Sequence, residues 1–308
     1  MRILVSNDDG VYSPGLAVLA LAASEFGEVR VVAPDMERSS AGHAITSTHP
    51  LTYRATTIAG LSAFRVNGTP ADCVALGLHQ WDHVDVVLSG LNVGLNLGNA
   101  IWHSGTAAAA KQATLLGTRG IALSAPASQE AEFAAYAPWL RRVLQALLVE
   151  STDVRLVNVN LPRRPRGLMW TSAAVEAYDG RMVPAHDPMG REVYWFTVTP
   201  VESAERGSDR WAVEQQWISL TPLELDVTDQ GELDRMRGTY PLDEAAAAAI
   251  SATVSSTREA ASVRADEAQT AASPGLPDLE GRHRPASGLL TSGTPVHTND
   301  PPESPPDR

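Results

Sequence analysis

Two adjacent carboxylates, Asp8 and Asp9, stand where a short apolar run at the start of the chain ends. Near a low-dielectric core, two neighbouring carboxylates repel each other and each tends to take up a proton. Both can stay charged if a cation lies between them or if they face water. The pair therefore indicates a divalent metal site, and the alternative is an exposed Asp-Asp-Gly turn.

Oxygen-bearing side chains also follow two other apolar runs. Ser39 and Ser40 come after the run 29–34, and Asn92 comes after the run 84–90. Carboxylate, hydroxyl and amide oxygens suit Mg²⁺, Mn²⁺ or Ca²⁺ rather than zinc. Taken singly, the serines are typical of a helix cap and the asparagine of a turn. The metal site is favoured because three strand-end loops offer matching ligands to one edge of the predicted sheet.

The loop after 84–90 ends in a pattern that is typical of an anion site. Ser104, Gly105 and Thr106 lead directly into an Ala-rich helical segment that begins at residue 107. Free backbone N–H groups and hydroxyls at the positive end of a helix bind phosphate well. The sequence therefore predicts a phosphate site beside the metal site, and the alternative is a helix cap without a ligand.

Composition limits the partners and the location that we expect. The chain has 308 residues and a formal net charge of −12, which argues against a nucleic-acid polymer because phosphate backbones select clustered Lys and Arg. The single cysteine, Cys73, excludes a disulfide framework and a Cys-rich zinc site. No signal-peptide pattern or membrane-spanning stretch is expected. We therefore predict a cytoplasmic protein.

The elements that must position these residues alternate along the first half of the chain. Near-continuous apolar runs are typical of parallel strands buried on both faces. The predicted strands are 2–6, 29–34, 84–90, 120–125 and 154–162, and the predicted helices are 13–27, 69–80, 104–117 and 130–150. Residues 44–68 predict a small β excursion. Repeated βαβ units predict an α/β fold with a doubly wound, Rossmann-like, mostly parallel sheet.

The sequence divides into three segments. Residues 1–168 form the predicted α/β core. Residues 169–250 are irregular and Trp-containing, with strand-like pieces at 193–200 and 216–228, and predict a β arm attached to the sheet. Residues 251–308 are rich in Ala, Ser, Thr, Pro and charged residues. Such a composition buries too little apolar surface to offset its ordering entropy, so it predicts a disordered tail.

Four stretches resemble the SurE family of 5′/3′-nucleotidases. They are MRILVSNDDGVYSPGL (1–16), VVAPDMERSSAGHAIT (31–46), VNGTPADCVALGL (66–78) and VVLSGLNVGLNLGNAIWHSGTAAAAKQA (86–113). Weaker matches include VNVNLP (157–162), and the resemblance covers roughly residues 1–230. It implies a metal-dependent phosphatase that uses Mg²⁺ or Mn²⁺ to hydrolyse nucleoside 5′-monophosphates, and 3′-monophosphates in some cases. It also implies a homodimer or homotetramer joined through the C-terminal arm.

The resemblance also implies roles for individual residues. The metal ligands would be Asp8, Asp9, Ser39 and Asn92. The residues around the substrate phosphate would be Asn96, Ser104, Gly105 and Thr106. Asp8 and Asp9 would also be catalytic, as water-activating groups or as a nucleophile. Ser40 stands where the family usually has Gly, so Ser39 and Ser40 remain alternative ligands.

The loop 99–103 departs from the family pattern and is predicted to set substrate choice. Trp102 would stack on the base and His103 would donate a proton to the leaving group, unless both residues are structural. Alternative functions are a broad-specificity acid phosphatase or exopolyphosphatase, a nucleotide-binding module without turnover, and a receiver-like signalling domain. A receiver needs a Lys after the fifth strand, and VNVNLP contains none.

Overall fold

The computed structural model describes residues 1–127, 129–150, 153–175, 179–199 and 204–240, together with the single positions 248, 251 and 253. The chain divides into two units, Met1–Thr228 and Asp229–Arg308. In the second unit the described helix has no buried residue. The predicted disordered tail, 251–308, lies outside the described residues apart from 251 and 253.

The first unit is built around a nine-stranded sheet and a separate two-stranded hairpin. The strands are β1 (Arg2–Ser6), β2 (Glu28–Pro34), β3 (Tyr53–Ile58), β4 (Leu61–Val66), β5 (Val86–Val93), β6 (Arg119–Ala125), β7 (Leu156–Asn160), β8 (Leu168–Trp170), β9 (Asp179–His186), β10 (Glu192–Thr199) and β11 (Ile218–Pro222). The large sheet has the order β3-β4-β2-β1-β5-β6-β7-β11-β8, and β9 pairs with β10.

The order of the large sheet reverses beside β1. From β1 the chain moves outward to β2 and β4, then crosses back to place β5 on the other side of β1. Six neighbouring strands, from β4 to β7, are parallel, and β3 and β11 run antiparallel to their neighbours β4 and β7. This arrangement confirms the predicted doubly wound, mostly parallel sheet. It also places the reversal point, where such sheets bind ligands, between β1 and β5.

Helices cover both faces of the sheet. The helices of the first unit are α1 (Pro14–Ala23), α2 (Pro70–His79), α3 (Gly105–Leu115), α4 (Glu130–Ala134), α5 (Ala137–Leu144) and α6 (Asp209–Glu214). The second unit contains α7 (Gln230–Thr239). Helices α1 and α2 begin within one residue of the predicted starts at 13 and 69, and each has a hydroxyl N-cap followed by proline. The prediction of one helix over 130–150 was wrong: α4 and α5 are separate, and a π-helical segment covers Gln145–Glu150. The break occurs before Pro138, which lacks the N–H that would continue α4.

Strands from the β excursion and from the segment after residue 168 complete the large sheet. The predicted β excursion forms β3 and β4, and β4 lies parallel to β2 in the same sheet. Strand β11 and the last two residues of β8 come from the segment 169–250, yet β11 pairs with β7. Only β9 and β10 form a hairpin of their own in the described part of that segment.

Among the described residues, no helix combines the length and the apolar character that a membrane crossing needs.

The alternation of side chains along β1 creates two apolar layers. Ile3 and Val5 pack with residues of α1 and α5, whereas Leu4 packs on the opposite face with residues of α2 and α3. All three side chains are fully buried. Both faces of the central strands are therefore covered, which leaves the carboxyl edge of the sheet as the place where polar side chains gather.

Candidate active site

The predicted metal residues meet at the reversal point of the sheet. Asp8 and Asp9 follow β1, and Asn92 lies near the end of the neighbouring strand β5. Ser39 follows β2, on the other side of β1. Loops from three adjacent parallel strands thus bring these four residues to one edge of the sheet.

Asp8 is a buried carboxylate held by the start of α3. Its side chain is only 4% exposed, and its Oδ1 accepts a hydrogen bond of 2.7 Å from the hydroxyl of Thr106. Burial raises the pKa of Asp8 above its ordinary value, and the hydrogen bonds from Thr106 oppose this change. A Cβ on Gly105 would lie 2.8 Å from the Cβ of Asp8. Glycine at position 105 therefore allows α3 to approach the carboxylate closely.

Asp9 is less buried than Asp8, and its pKa is also raised. Its Oδ2 accepts a hydrogen bond of 3.3 Å from the backbone N–H of Val93. Burial, followed by the negative charge of Asp8, raises the pKa of Asp9 to about 7. Glu37 adds a further negative charge near both carboxylates. A cation bound beside Asp8 and Asp9 would therefore stabilise their charged forms.

The donor set fits a hard divalent cation. Within the described part of the chain, neither Asp8 nor Asp9 forms an ion pair with Lys, Arg or His. The same part of the chain holds no cluster of three or more His, Cys, Asp and Glu side chains, so neutral oxygens must complete the ligand set. Ser39 and Asn92 can supply them. Two carboxylates with a hydroxyl and an amide oxygen suit Mg²⁺ or Mn²⁺.

The neutral candidates are oriented by their own loops. The hydroxyl of Ser39 donates to Glu37 Oε1 at 2.7 Å, which leaves its lone pairs available to a metal. The amide nitrogen of Asn92 donates to the carbonyls of Val93 and Gly94, at 3.1 and 2.9 Å, which leaves its oxygen available. Ser40 has a φ of +59°, a left-handed conformation that glycine adopts more easily.

The predicted phosphate turn forms the N-terminus of α3. Ser104 is the N-cap, and its hydroxyl accepts the N–H of Ala107 at 3.0 Å. Thr106 uses its hydroxyl to bind Asp8, so this side chain joins the metal and phosphate regions. The carbonyl of Ser104 accepts the N–H of Ala108, so the N–H of Gly105 and the positive end of the helix are the groups that could bind an anion.

Asn96 is fixed by residues that sequence reasoning did not assign to the site. Its side-chain nitrogen donates to Ser124 Oγ at 2.9 Å and lies 3.5 Å from Thr106 Oγ1. Its backbone is hydrogen-bonded to the side chains of Asn158 and Asn160 on β7. The signal in the sequence was the motif VNVNLP, in which two amides interrupt an otherwise apolar strand.

Two cavities flank the carboxylate pair. One, of about 440 Å³, is lined by Asp8, Ser39, Ser40, Asn92, Val93, Gly94, Leu95, Asn96, Ala100, His103, Ser104 and Phe196. The other, of about 540 Å³, is lined by Asp9, Gly10, Val11, Tyr12, Ser13, Pro14, Asp35, Met36, Glu37, Ser39 and Val93. Ser39 borders both cavities, whereas Ser40 borders only the first, so the geometry favours Ser39 over Ser40 beside the metal.

The first cavity is lined by a different aromatic residue from the one that we predicted to stack on the base, Trp102. His103 lines it, but Trp102 lines neither cavity, and Lys111 Nζ lies 5.4 Å from the centroid of its ring. Phe196 of β10 lines the first cavity together with Leu95. The aromatic side chain beside the metal residues therefore comes from the hairpin rather than from the loop 99–103.

Comparison with known proteins identifies the family of this chain. The family described as Survival protein SurE matches residues 3–180, which include all the predicted site residues. The chain belongs to the SurE family. Curated SurE relatives extend the match beyond that range. The 5′-nucleotidase SurE 1 of Thermus thermophilus is 45% identical over 244 residues, covering 77% of this chain and 97% of the relative.

Another SurE relative and a solved structure give the same result. The 5′-nucleotidase SurE of Deinococcus radiodurans is 40% identical over 251 residues, covering 78% of this chain and 93% of the relative. The crystal structure of the SurE protein from Aquifex aeolicus superposes with a TM-score of 0.68 at 35% identity. The superposition covers 78% of this chain and 99% of the Aquifex chain. The SurE fold therefore accounts for most of this chain.

Proposed function

We propose that this protein is a metal-dependent 5′-nucleotidase, which hydrolyses nucleoside 5′-monophosphates to nucleoside and phosphate. The observation that supports the proposal is the juxtaposition of Asp8 and Asp9 with the N-terminus of α3, joined by the hydrogen bond from Thr106 to Asp8. A negatively charged pair that binds a cation lies directly beside an element that binds an anion. A phosphomonoester bound to a cation fits both.

In this proposal Asp8, Asp9, Ser39 and Asn92 hold one Mg²⁺ or Mn²⁺ ion. The bound cation would neutralise charge on the phosphate and lower the pKa of water at the site. Thr106 donates a hydrogen bond to one carboxylate oxygen of Asp8 and so fixes the orientation of this ligand toward the ion. Either carboxylate of the pair can orient the attacking water and accept its proton.

The start of α3 binds the phosphate group. Ser104 caps the helix and accepts the N–H groups of Ala107 and Ala108, which leaves the N–H of Gly105 and the positive end of the helix for the phosphate. Gly105 permits the close approach to Asp8 that places these donors beside the metal residues. Asn96 and His103 border the same cavity, where the substrate would bind. Fixed donors aimed at the phosphate stabilise the charge that develops in the transition state.

The hairpin supports a second part of the proposal, that the protein assembles as a homodimer or homotetramer. Tyr194, Trp195 and Phe196 of β10 and Met182 of β9 are all more than half exposed. A two-stranded hairpin is only marginally stable alone in water, and exposed apolar clusters mark interaction surfaces. We expect light scattering to show an oligomer for the wild type and a smaller species for a Trp195→Ser variant. A monomeric wild type would contradict this part.

Release of inorganic phosphate from nucleoside monophosphates tests the catalytic proposal. We expect turnover of a nucleoside 5′-monophosphate with added Mg²⁺ or Mn²⁺ and none in excess chelator. Asp8→Asn and Asp9→Asn should abolish turnover because each removes a charged metal ligand. Asp35→Asn is the matched control, since this exposed carboxylate lies in the neighbouring cavity and is not a proposed ligand.

Three results would revise the proposal. Undiminished phosphate release in excess chelator would contradict the metal requirement. Equal rates on 5′- and 3′-monophosphates would widen the substrate to both positions. Faster hydrolysis of a small aryl phosphate or of polyphosphate than of any nucleotide would favour a broad-specificity phosphatase instead.

A further inference from the structure

The two asparagines of VNVNLP occupy an unusual place in the core. Asn158 and Asn160 lie on β7, in the interior of the sheet, and both side chains are fully buried. Residues two apart on a strand share a face, so both amides point to the same side of the sheet. Burying an amide costs free energy unless its polar atoms are paired. The contacts of these two side chains therefore indicate why they are there.

Both asparagines bind the backbone of Asn96. The N–H of Asn96 donates to Asn160 Oδ1 at 2.8 Å, and the carbonyl of Asn96 accepts from Asn160 Nδ2 at 3.0 Å. The same carbonyl accepts from Asn158 Nδ2 at 2.7 Å. Asn160 thus pairs with the backbone as a neighbouring strand would, as donor and acceptor at once. An aspartate lacks the donor and an aliphatic side chain lacks both groups.

Ser124 fixes the side chain of the same residue. It lies on β6, paired in register with Asn160, and its Oγ accepts from Asn96 Nδ2 at 2.9 Å. We call Asn158, Asn160 and Ser124 the Asn96 clamp. The clamp holds both the backbone and the side chain of one loop residue, and all three of its members are fully buried.

We propose that the Asn96 clamp positions the loop between the metal ligand Asn92 and the phosphate turn for catalysis, which makes its members positioning residues. The proposal rests on the function proposed above. Asn96 lies 3.5 Å from Thr106 Oγ1, and Thr106 in turn donates to Asp8. A continuous set of polar contacts therefore runs from β7, through Asn96, to the metal carboxylate. Rigid strands, rather than the loop itself, fix the distance between metal and phosphate sites.

Asn160→Ala and Asn158→Ala test the clamp against a matched control. Thr221→Val is the control, because Thr221 lies opposite Asn158 on β11 and is also buried. Its hydroxyl bonds to Thr171 at 2.8 Å and makes no described contact with Asn96. The control therefore removes one buried hydrogen bond from the same sheet without touching the loop. Asn158→Ala is the milder of the two tests, since Asn160 still holds Asn96.

Hydrogen exchange of the loop is a readout that does not depend on activity. In Asn160→Ala we expect the amide of Asn96 to exchange about tenfold faster or more than in the wild type, because its acceptor is gone. In Thr221→Val it should exchange at the wild-type rate. Unchanged exchange in Asn160→Ala would overturn the proposal.

Kinetics then separate positioning from general destabilisation. A displacement of about 1 Å in a catalytic group can cost on the order of 10²-fold in rate, so kcat on a nucleoside monophosphate should fall by about that factor in Asn160→Ala. KM should change less, and Asn158→Ala should lose less than Asn160→Ala. Equal losses in Asn160→Ala and Thr221→Val would overturn the positioning role. If the wild type hydrolyses no phosphomonoester, the proposed function fails and the exchange comparison alone decides the clamp.

Discussion

Ionisation of Asp9 should destabilise the metal-free protein as the pH rises. Burial, followed by the charge of Asp8, raises the pKa of Asp9 from an ordinary 3.8 to about 7. The folded state therefore binds this proton more tightly than the unfolded state does. Its contribution to stability is fully present below about pH 4 and is lost as the pH rises through about 7.

The size of the effect follows from the two pKa values. Between 3.8 and about 7 lies a difference of about 3, and each factor of ten in acidity is worth about 1.4 kcal/mol. The upper limit is thus about 4 kcal/mol. Because the carboxylate of Asp9 is partly exposed, solvent screening reduces the expected loss to roughly 2 kcal/mol. A loss of this size is large against the total stability of about 5–15 kcal/mol that is usual for a protein.

Urea unfolding in the presence of a chelator measures this loss. The free energy of unfolding is compared at about pH 5 and about pH 8 for the wild type and for Asp9→Asn, whose side chain does not ionise. We expect the difference between the two proteins to shift by roughly 1–2 kcal/mol in favour of Asp9→Asn at the higher pH, because part of the loss already falls below pH 5. Asp35→Asn, at an exposed carboxylate, should show no such shift.

A divalent cation should remove the effect in the wild type. A bound cation neutralises the pair, so Mg²⁺ or Mn²⁺ should stabilise the wild type more at about pH 8 than at about pH 5. Asp9→Asn should lose most of this stabilisation. If the wild type and Asp9→Asn show the same pH dependence in chelator, the electrostatic account of the pair is wrong.

Three further predictions concern the rest of the site and the tail. Gly105→Ala should abolish phosphate release, because its Cβ would lie 2.8 Å from the Cβ of Asp8, while stability should fall by only about 1–3 kcal/mol; full activity would contradict this packing. Phe196→Ala should weaken the binding of a nucleoside monophosphate by roughly 1–3 kcal/mol and leave the binding of a small aryl phosphate unchanged. Trp102→Ala should change the binding of neither substrate. Steady-state KM values check this, and equal losses on both substrates in Phe196→Ala would contradict stacking. Truncation after Ile250 should leave activity and melting temperature nearly unchanged, and a large loss of either would show that the tail packs against the folded protein.

The central strands were predictable because the apolar pattern that marks them lies within a few neighbouring residues. A strand buried on both faces is mostly apolar, so β1, β2 and β6 are visible as near-continuous apolar runs, and β7 is recognisable although Asn158 and Asn160 interrupt it. The predicted strand 2–6 coincides with β1. Helix starts at Ser13 and Thr69 were also predictable, since a capping hydroxyl followed by proline acts through neighbouring residues. The break between α4 and α5 was missed although Pro138 marks it, because the apolar period continues on both sides.

The site was predictable up to the point where distant segments meet. Strand-end polar residues identify Asp8 and Asp9 as candidates, because parallel strands bring their carboxyl ends to one edge. Ser104 is a candidate because it precedes an Ala-rich helix. The position of Phe196 in the lining of the first cavity was not predictable, since the sequence of β10 does not indicate which loops this strand packs against. The same holds for Trp102, whose ring lies beside Lys111 rather than in the cavity. Both depend on how separate elements pack together.

The amino-acid sequence by itself determined the α/β class, the order of the central elements and the chemistry offered at each strand end. These follow from side-chain periodicity, capping and ligand type, which act over a few residues. Only the tertiary structure decided that β11 pairs with β7, that Thr106 binds Asp8, and that Asn160 holds Asn96. Those contacts join residues that are 59, 98 and 64 positions apart, in the order named, with the strand pair counted from Asn160 to its partner Ser219. A pairing across such a distance is selected by the packing of the whole sheet, and no local pattern specifies it.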